Sequence, residues 1–259
     1  ELKRTSKKYE KENSNESKLI SAFLLQSINT SEYMLEQGYY YSAANTAFLA
    51  QVNERAFSLA NVSKSEFKQM IADLEKQALA MKFANKTLEN LDWAVGGQLR
   101  YYWALQTIYE LKERSDVIAP IQLVEDYASA ETWLSAAKSM NAIAETKGGE
   151  QVDELKARDY ALRFIEAVNA SLNENLLDTE VLQHADAAVL AFTNGDYITS
   201  TFDASFAQAI VSSRQKMSKA DSPQALQQLA NSDPSRANSF ESVWAQLYYA
   251  HSLYSIQES

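Results

Sequence analysis

The sequence predicts an all-α protein, and three observations carry that prediction. Only 6 Gly and 3 Pro punctuate 259 residues, too few for the turns of a sandwich, a barrel or an ordinary βαβ fold. Apolar residues recur in steps of three and four along nearly the whole chain, the signature of helices that bury one face. No segment carries a strand pattern that stands against this spacing. With 46% hydrophobic residues there is material for a sizeable core, and the length suits one large domain or two small ones at roughly 150 residues each. The expected architecture is about ten helices in antiparallel hairpins, in an elongated or two-lobed bundle with a solenoid-like character.

Taken in order, residues 1–16 (ELKRTSKKYEKENSNE) hold five bases and four acids and almost nothing apolar, so they read as a solvated lead-in or linker. From Leu19, the series Ile20, Phe23, Leu24, Ile28 and Leu35 runs at helical spacing to Gly38, which can end a helix. A second helix from about Tyr39 to Ala60 completes a hairpin. Ser63 followed by Glu66 forms a capping box, opening a helix with Phe67, Ile71, Leu74, Ala78 and Met81 on one face. From about Thr87 to Arg114, Leu88, Leu91, Val95, Leu99 and Tyr102 keep the period across the pair Gly96 and Gly97. Each Gly costs a helix interior roughly 1 kcal/mol, so the pair marks a kink, a break or a close crossing.

Pro120 suits the first turn of a helix extending towards Ala144. Thr146 to Gly149 (TKGG) is the best interior break, giving helical subdomains at 17–147 and 150–259. Leu155, Leu162, Ile165 and Leu172 mark a further helix. Another starts at Asp178 or Thr179 and ends at Gly195. Helices follow from Ile198 to Met217, from Ser222, and from about Ser239 to Ile256.

Composition excludes several chemistries. With no Cys there are no disulfides, Cys nucleophiles, thiolate zinc sites or iron-sulfur clusters. Any His-based triad or multi-His site must use His184 or His251. A net charge of −10 argues against nucleic acid, whose affinity comes mainly from clustered Lys and Arg. The sequence has no run of 18 or more apolar residues that could span a bilayer. The chain opens on Glu1, not Met, and is expected to be a processed form or an excised piece whose anchor or upstream domain has been removed. Sequons at Asn15, Asn29, Asn61, Asn85 and Asn169 are compatible with an extracytoplasmic setting without establishing one.

Motifs for catalysis are weak. Ser135 and Lys138 have the S-x-x-K spacing that puts a nucleophile and its base on one helical face. Ser65 with Lys68 and Ser213 with Lys216 repeat it, as chance would. Glu180 and His184 stand one turn apart and could share a metal, though a surface ion pair is the plainer reading. Ferritin-like Glu-x-x-His pairs are absent, and Gly96-Gly97 and Gly148-Gly149 continue into no phosphate-loop spacing. No cofactor, metal or catalytic residue is expected.

Three aromatic runs, Tyr39 to Tyr41, Tyr101 to Trp103 and Tyr248 with Tyr249, cannot be wholly buried, since successive helical residues point about 100° apart. Some rings must reach a rim, either at the edge of the core or in an interface. Between Arg163 and Arg214 there is no Lys or Arg, yet Glu166, Glu174, Asp178, Glu180, Asp186, Asp196 and Asp203 fall there. That stretch is either a solvated acidic face or a dock for a basic partner.

Sliding the chain by 157 superposes Leu25, Gln26, Gly38, Tyr40, Ala47, Ala50 and Gln51 on Leu182, Gln183, Gly195, Tyr197, Ala204, Ala207 and Gln208, all identical. Both copies straddle a helix-Gly-helix turn, in which Gly reverses the chain, Tyr packs over the turn and small Ala residues admit a close neighbour. Gly38, Tyr40, Ala43, Ala47 and Ala50 resemble the second helix of a tetratricopeptide repeat, without the first-helix signature or a 34-residue period. The charged lead-in, GYYYSA and the closing LYYAHSLY resemble the helical region that follows the protease domain in archaeal membrane-anchored Lon-like serine proteases. That resemblance implies a membrane-associated parent whose catalytic Ser and Lys lie upstream, so none maps onto this chain.

The function expected is a noncatalytic helical interaction or accessory domain that holds a protein or peptide. Its site is expected in a groove between the Gly38 and Gly195 hairpins, with Tyr39 and Tyr41 on one wall and Asp196 and Asp203 on the other. The alternative is a stand-alone helical hydrolase or metal-binding bundle using Ser135 with Lys138, or Glu180 with His184.

Overall fold

The computed structural model describes residues 2–12, 14–38, 40–171 and 179–218. Among these residues there are nine α-helices and no strand. The helices expected from Ser222 and Ser239 lie outside the described residues. The chain divides between Ser58 and Leu59 into two compact units.

The first unit contains α1 (Leu2–Lys11), α2 (Asn15–Glu36) and α3 (Tyr40–Ser58). Here the charged opening folds where a solvated lead-in was expected. Leu2, Ser6 and Tyr9 fall on one face of α1, and Ser6 and Tyr9 are buried. Tyr9 joins Ile20, Leu24 and Ala50 in a small core, and Ser6 Oγ lies 3.2 Å from Ser21 Oγ. A few small or apolar residues at helical spacing therefore outweigh the surrounding charge, which stays in water. Desolvation, then the Glu54 carboxylate that accepts the Tyr9 hydroxyl at 3.2 Å, push the Tyr9 phenol up to about 12.

The second unit holds α4 (Lys64–Leu79), α5 (Leu91–Arg114), α6 (Val124–Glu145), α7 (Arg158–Ser171), α8 (Thr179–Thr193) and α9 (Tyr197–Ser218). α4 opens with the capping box read from the sequence: Ser63 accepts from the Glu66 amide, and Glu66 returns the bond to the Ser63 amide. α5 runs unbroken through Gly96 and Gly97 because these residues mark a close crossing. A Cβ on Gly97 would stand 3.3 Å from the Ala137 carbonyl oxygen of α6. Ala128, Ala130, Ala137 and Ala144 are likewise fully buried on α6, the small residues such an approach requires.

The Gly38 and Gly195 turns share their geometry. Gly38 has φ +83° and Gly195 φ +78°, the left-handed conformation that Gly adopts without a Cβ penalty. At the second turn the Gly195 amide bonds the Phe192 carbonyl at 3.0 Å and the Asp196 amide bonds the Ala191 carbonyl at 3.0 Å, the double bond of a Schellman motif. Tyr197 packs edge-on against Phe192. One cross-helix bond recurs with its partners exchanged: Ser31 Oγ donates to the Ala43 carbonyl at 2.6 Å, and Ser200 Oγ donates to the Ala188 carbonyl at 2.8 Å. Under the shift of 157 these are the same two positions, with Ser moved from one helix to the other.

Candidate functional site

Lys86 sits in the connection between α4 and α5, where two buried amides fix the backbone. The Asn141 side chain accepts the Ala84 amide at 2.8 Å and donates to the Lys82 carbonyl at 3.1 Å. Asn90 accepts the Thr87 amide at 2.8 Å and donates to the Ala144 carbonyl at 3.2 Å. Backbone bonds from Leu88 to Glu150 and from Val152 to Lys86, each 3.0 Å, tie this segment to the one after TKGG. The Lys86 side chain, 6% exposed, therefore enters the unit between Glu154 and Asp196 and lies 2.5 Å from Asp196 Oδ1.

Asp196 has three structural roles. Its amide closes the α8 turn, its Oδ1 accepts the Thr199 amide at 3.3 Å in the first turn of α9, and the same oxygen receives Lys86. Its Oδ2 is buried without a hydrogen-bond partner among the described residues. Burial, and then the Asp196 charge, push the Tyr102 phenol far up, so this tyrosine stays protonated.

Asp203, on the next turns of α9, is 2% exposed. Its Oδ2 accepts Trp103 Nε1 at 3.0 Å, and its Oδ1 lies 2.6 Å from His184 Nδ1. The His184 ring stands edge-on to Trp103 and Phe206. Burial pushes the Asp203 carboxyl above the ordinary carboxylate range, and the His184 and Trp103 bonds pull against that shift. The junction thus fastens α8 and α9 to α5, but among the described residues no hydroxyl nucleophile is hydrogen-bonded to His184.

Tyr39 and the side chain of Tyr41 lie outside the described residues. Asp196 immediately precedes α9 and Asp203 lies within it, but both are buried and partnered, so neither stands on an acidic face. His184 is held by Asp203 in the interior, not by Glu180 at the surface. Ser135 is exposed, and Lys138 donates to Gln77 at 3.3 Å. In the Tyr101 run, Tyr102 and Trp103 are buried, and Tyr101 is half-buried against Phe83. Among the described residues, no group of three His, Asp or Glu is arranged to hold a metal, and no helix is long and apolar enough to cross a membrane.

Among the described residues, one accessible feature is a groove of about 360 Å³ between α5 and α8. Gln106, Tyr109, Glu110 and Glu113 line it from α5, and Asp186, Val189, Leu190 and Thr193 from α8. Each set follows the spacing i, i+3, i+4, i+7, one face over two helical turns. Tyr109 and Val189 are 39% and 44% exposed, so the lining offers apolar surface to solvent. Three carboxylates rim it and, among its lining residues, there is no base. The nearest bases on α5 turn elsewhere, Lys112 to Glu75 at 2.6 Å and Arg114 to Asp126 at 2.8 Å. Partial burial pushes the Asp186 carboxyl above its usual value. Asp186 belongs to the base-free stretch of the sequence, whereas Glu110 and Glu113 lie outside it and are signalled only by their spacing with Tyr109 on α5. Compared with known proteins, the chain matches no family model, no curated protein and no solved structure.

Proposed function

We propose that this chain is a noncatalytic helical interaction module that holds a basic peptide in the α5/α8 groove. The observation that carries the reading is the pairing of exposed apolar lining with Glu110, Glu113 and Asp186 and no base among the lining residues. Such a rim favours a cationic partner and disfavours an anionic one. The interior supports the same reading, because the chain's one described His and its buried acids are committed to each other, to Trp103 and to Lys86. That the module serves a larger membrane-associated protease-like protein is a further proposal, resting on the lead-in and hairpin residues that resemble that family.

Fluorescence anisotropy with a labelled Lys- and Leu-rich peptide tests the binding. Saturable binding should weaken by about tenfold or more in Glu110→Lys with Glu113→Lys, and also on raising salt from about 50 to about 300 mM. Because a chain of charge −10 attracts any cation weakly, the control is an equal reversal at exposed acids elsewhere, Glu10→Lys with Glu150→Lys. Equal losses in both double variants would refute the groove as the seat.

A further inference from the structure

Resting on the proposed peptide reading, we infer that the groove's occupant is an amphipathic α-helix bearing Lys or Arg beside its apolar stripe, docked against α5 and α8 as a third helix. What the lining can offer a backbone decides the occupant's conformation. An extended peptide brings unpaired N–H and C=O groups, which need partners once covered. Of the three neutral polar side chains of the lining, Gln106 gives its amide to Glu110 at 3.1 Å and Thr193 gives its hydroxyl to the Val189 carbonyl at 2.8 Å, and the Tyr109 hydroxyl alone cannot serve a row of backbone groups. The Gln106 Oε1 is buried and out of an occupant's reach. Both walls are α-helices, so they present no sheet edge to extend.

A helix satisfies its own backbone and brings only side chains to the surface. The two matched stripes, each about 10 Å long, form the kind of furrow into which a third helix lays its ridge. Tyr109, Val189 and Leu190 would meet its apolar stripe, and Glu110, Glu113 and Asp186 its flanking cations. A second copy of this chain is disfavoured by its own charge of −10, and nucleic acid by the sign of the rim.

The test uses the full chain and three peptides of about 18 residues made from the same Ala, Leu and Lys content. One places Leu at 3.6-residue spacing, one alternates Leu and Lys, and one repeats the helical pattern with a central Pro, which costs a helix about 3 kcal/mol. The helical peptide should bind at least about tenfold more tightly than the other two. Val189→Asp, a change at an exposed position, should abolish that preference without moving the unfolding transition. If all three bind alike and all lose affinity in Glu110→Lys with Glu113→Lys, the helix is refuted while the basic-peptide reading survives. If none binds, or a Glu-for-Lys version of the helical peptide binds as well, both fall. Self-association of the chain that the same reversals abolish would assign the groove to a second copy and overturn the inference.

Discussion

Replacing Lys86 by Met should destabilise the second unit by about 3 kcal/mol. The side chain is 6% exposed and Asp196 8%, so Met preserves the volume while stripping the cation from a buried carboxylate. Removing one member of such a pair costs about 3–5 kcal/mol, mostly because a charge is left without compensation. Two details place this case at the lower end. The Thr199 amide still donates to Asp196 Oδ1, and Glu154, 31% exposed, keeps the Ile198 amide on its Oε2 at 2.9 Å. For a unit of this size the loss corresponds to a fall of about 6–12 °C in Tm. Urea unfolding followed by far-ultraviolet circular dichroism measures it, with helix content before the transition unchanged. The double variant Lys86→Met with Asp196→Asn removes both charges and should recover at least half of the loss. A single-variant loss below about 1 kcal/mol, or a double variant worse than the single, would refute the idea that Lys86 neutralises Asp196.

Three further outcomes follow from the same unit. Asp203 has a folded-state pKa raised by burial, so the folded chain takes up that proton more readily than the unfolded one. Its contribution is therefore fully present below the unfolded carboxylate value and lost as pH rises through the folded value. Measured as the unfolding free-energy difference from Asp203→Asn, the parent should gain relative stability as pH falls towards 4, and a flat difference would contradict this. Gly195→Ala meets no atom within 4 Å, but forces φ +78° on a residue with a Cβ, so it should cost about 1–2 kcal/mol. Gly96→Ala displaces only the terminal methyl of Met140 and gains helix propensity. It should be neutral or stabilising by up to about 1 kcal/mol, with thermal unfolding ranking the two.

Local order was legible in the sequence because its causes are local. The Ser63–Glu66 box and the Gly38 and Gly195 turns each depend on a few adjacent residues, and each forms where the residues indicate. Gly96 and Gly97 left a kink, a break and a close crossing open; the choice depended on what lies opposite, and that is Ala137 and Met140 of α6. α1 was unreadable for a related reason: a polar helix with a narrow apolar stripe resembles a linker until the surface that covers it is known. The buried junction was the least legible part. A run of seven acids shows its sign but not its depth, and Asp196 meets its cation 110 positions away while Asp203 meets Trp103 at a separation of 100. No periodicity encodes contacts of that range, so these two acids are interior fastenings while Asp186 of the same stretch stays at the surface.

The long reach of Lys86 also governs how this chain can be dissected. From 164 to 213 the sequence supplies no Lys or Arg, so α8 and α9 borrow from before α5 the cation that their turn buries. A fragment beginning after Gly149 would retain every residue of the Gly195 hairpin, yet would lack Lys86, the Trp103 indole donor to Asp203 and the backbone partners of Glu150 and Val152. The hairpin is therefore not a portable cassette. Expression designs that cut at the TKGG connection would leave an unneutralised carboxylate at the hinge of the hairpin, whereas a boundary between Ser58 and Leu59 keeps lender and borrower on one piece.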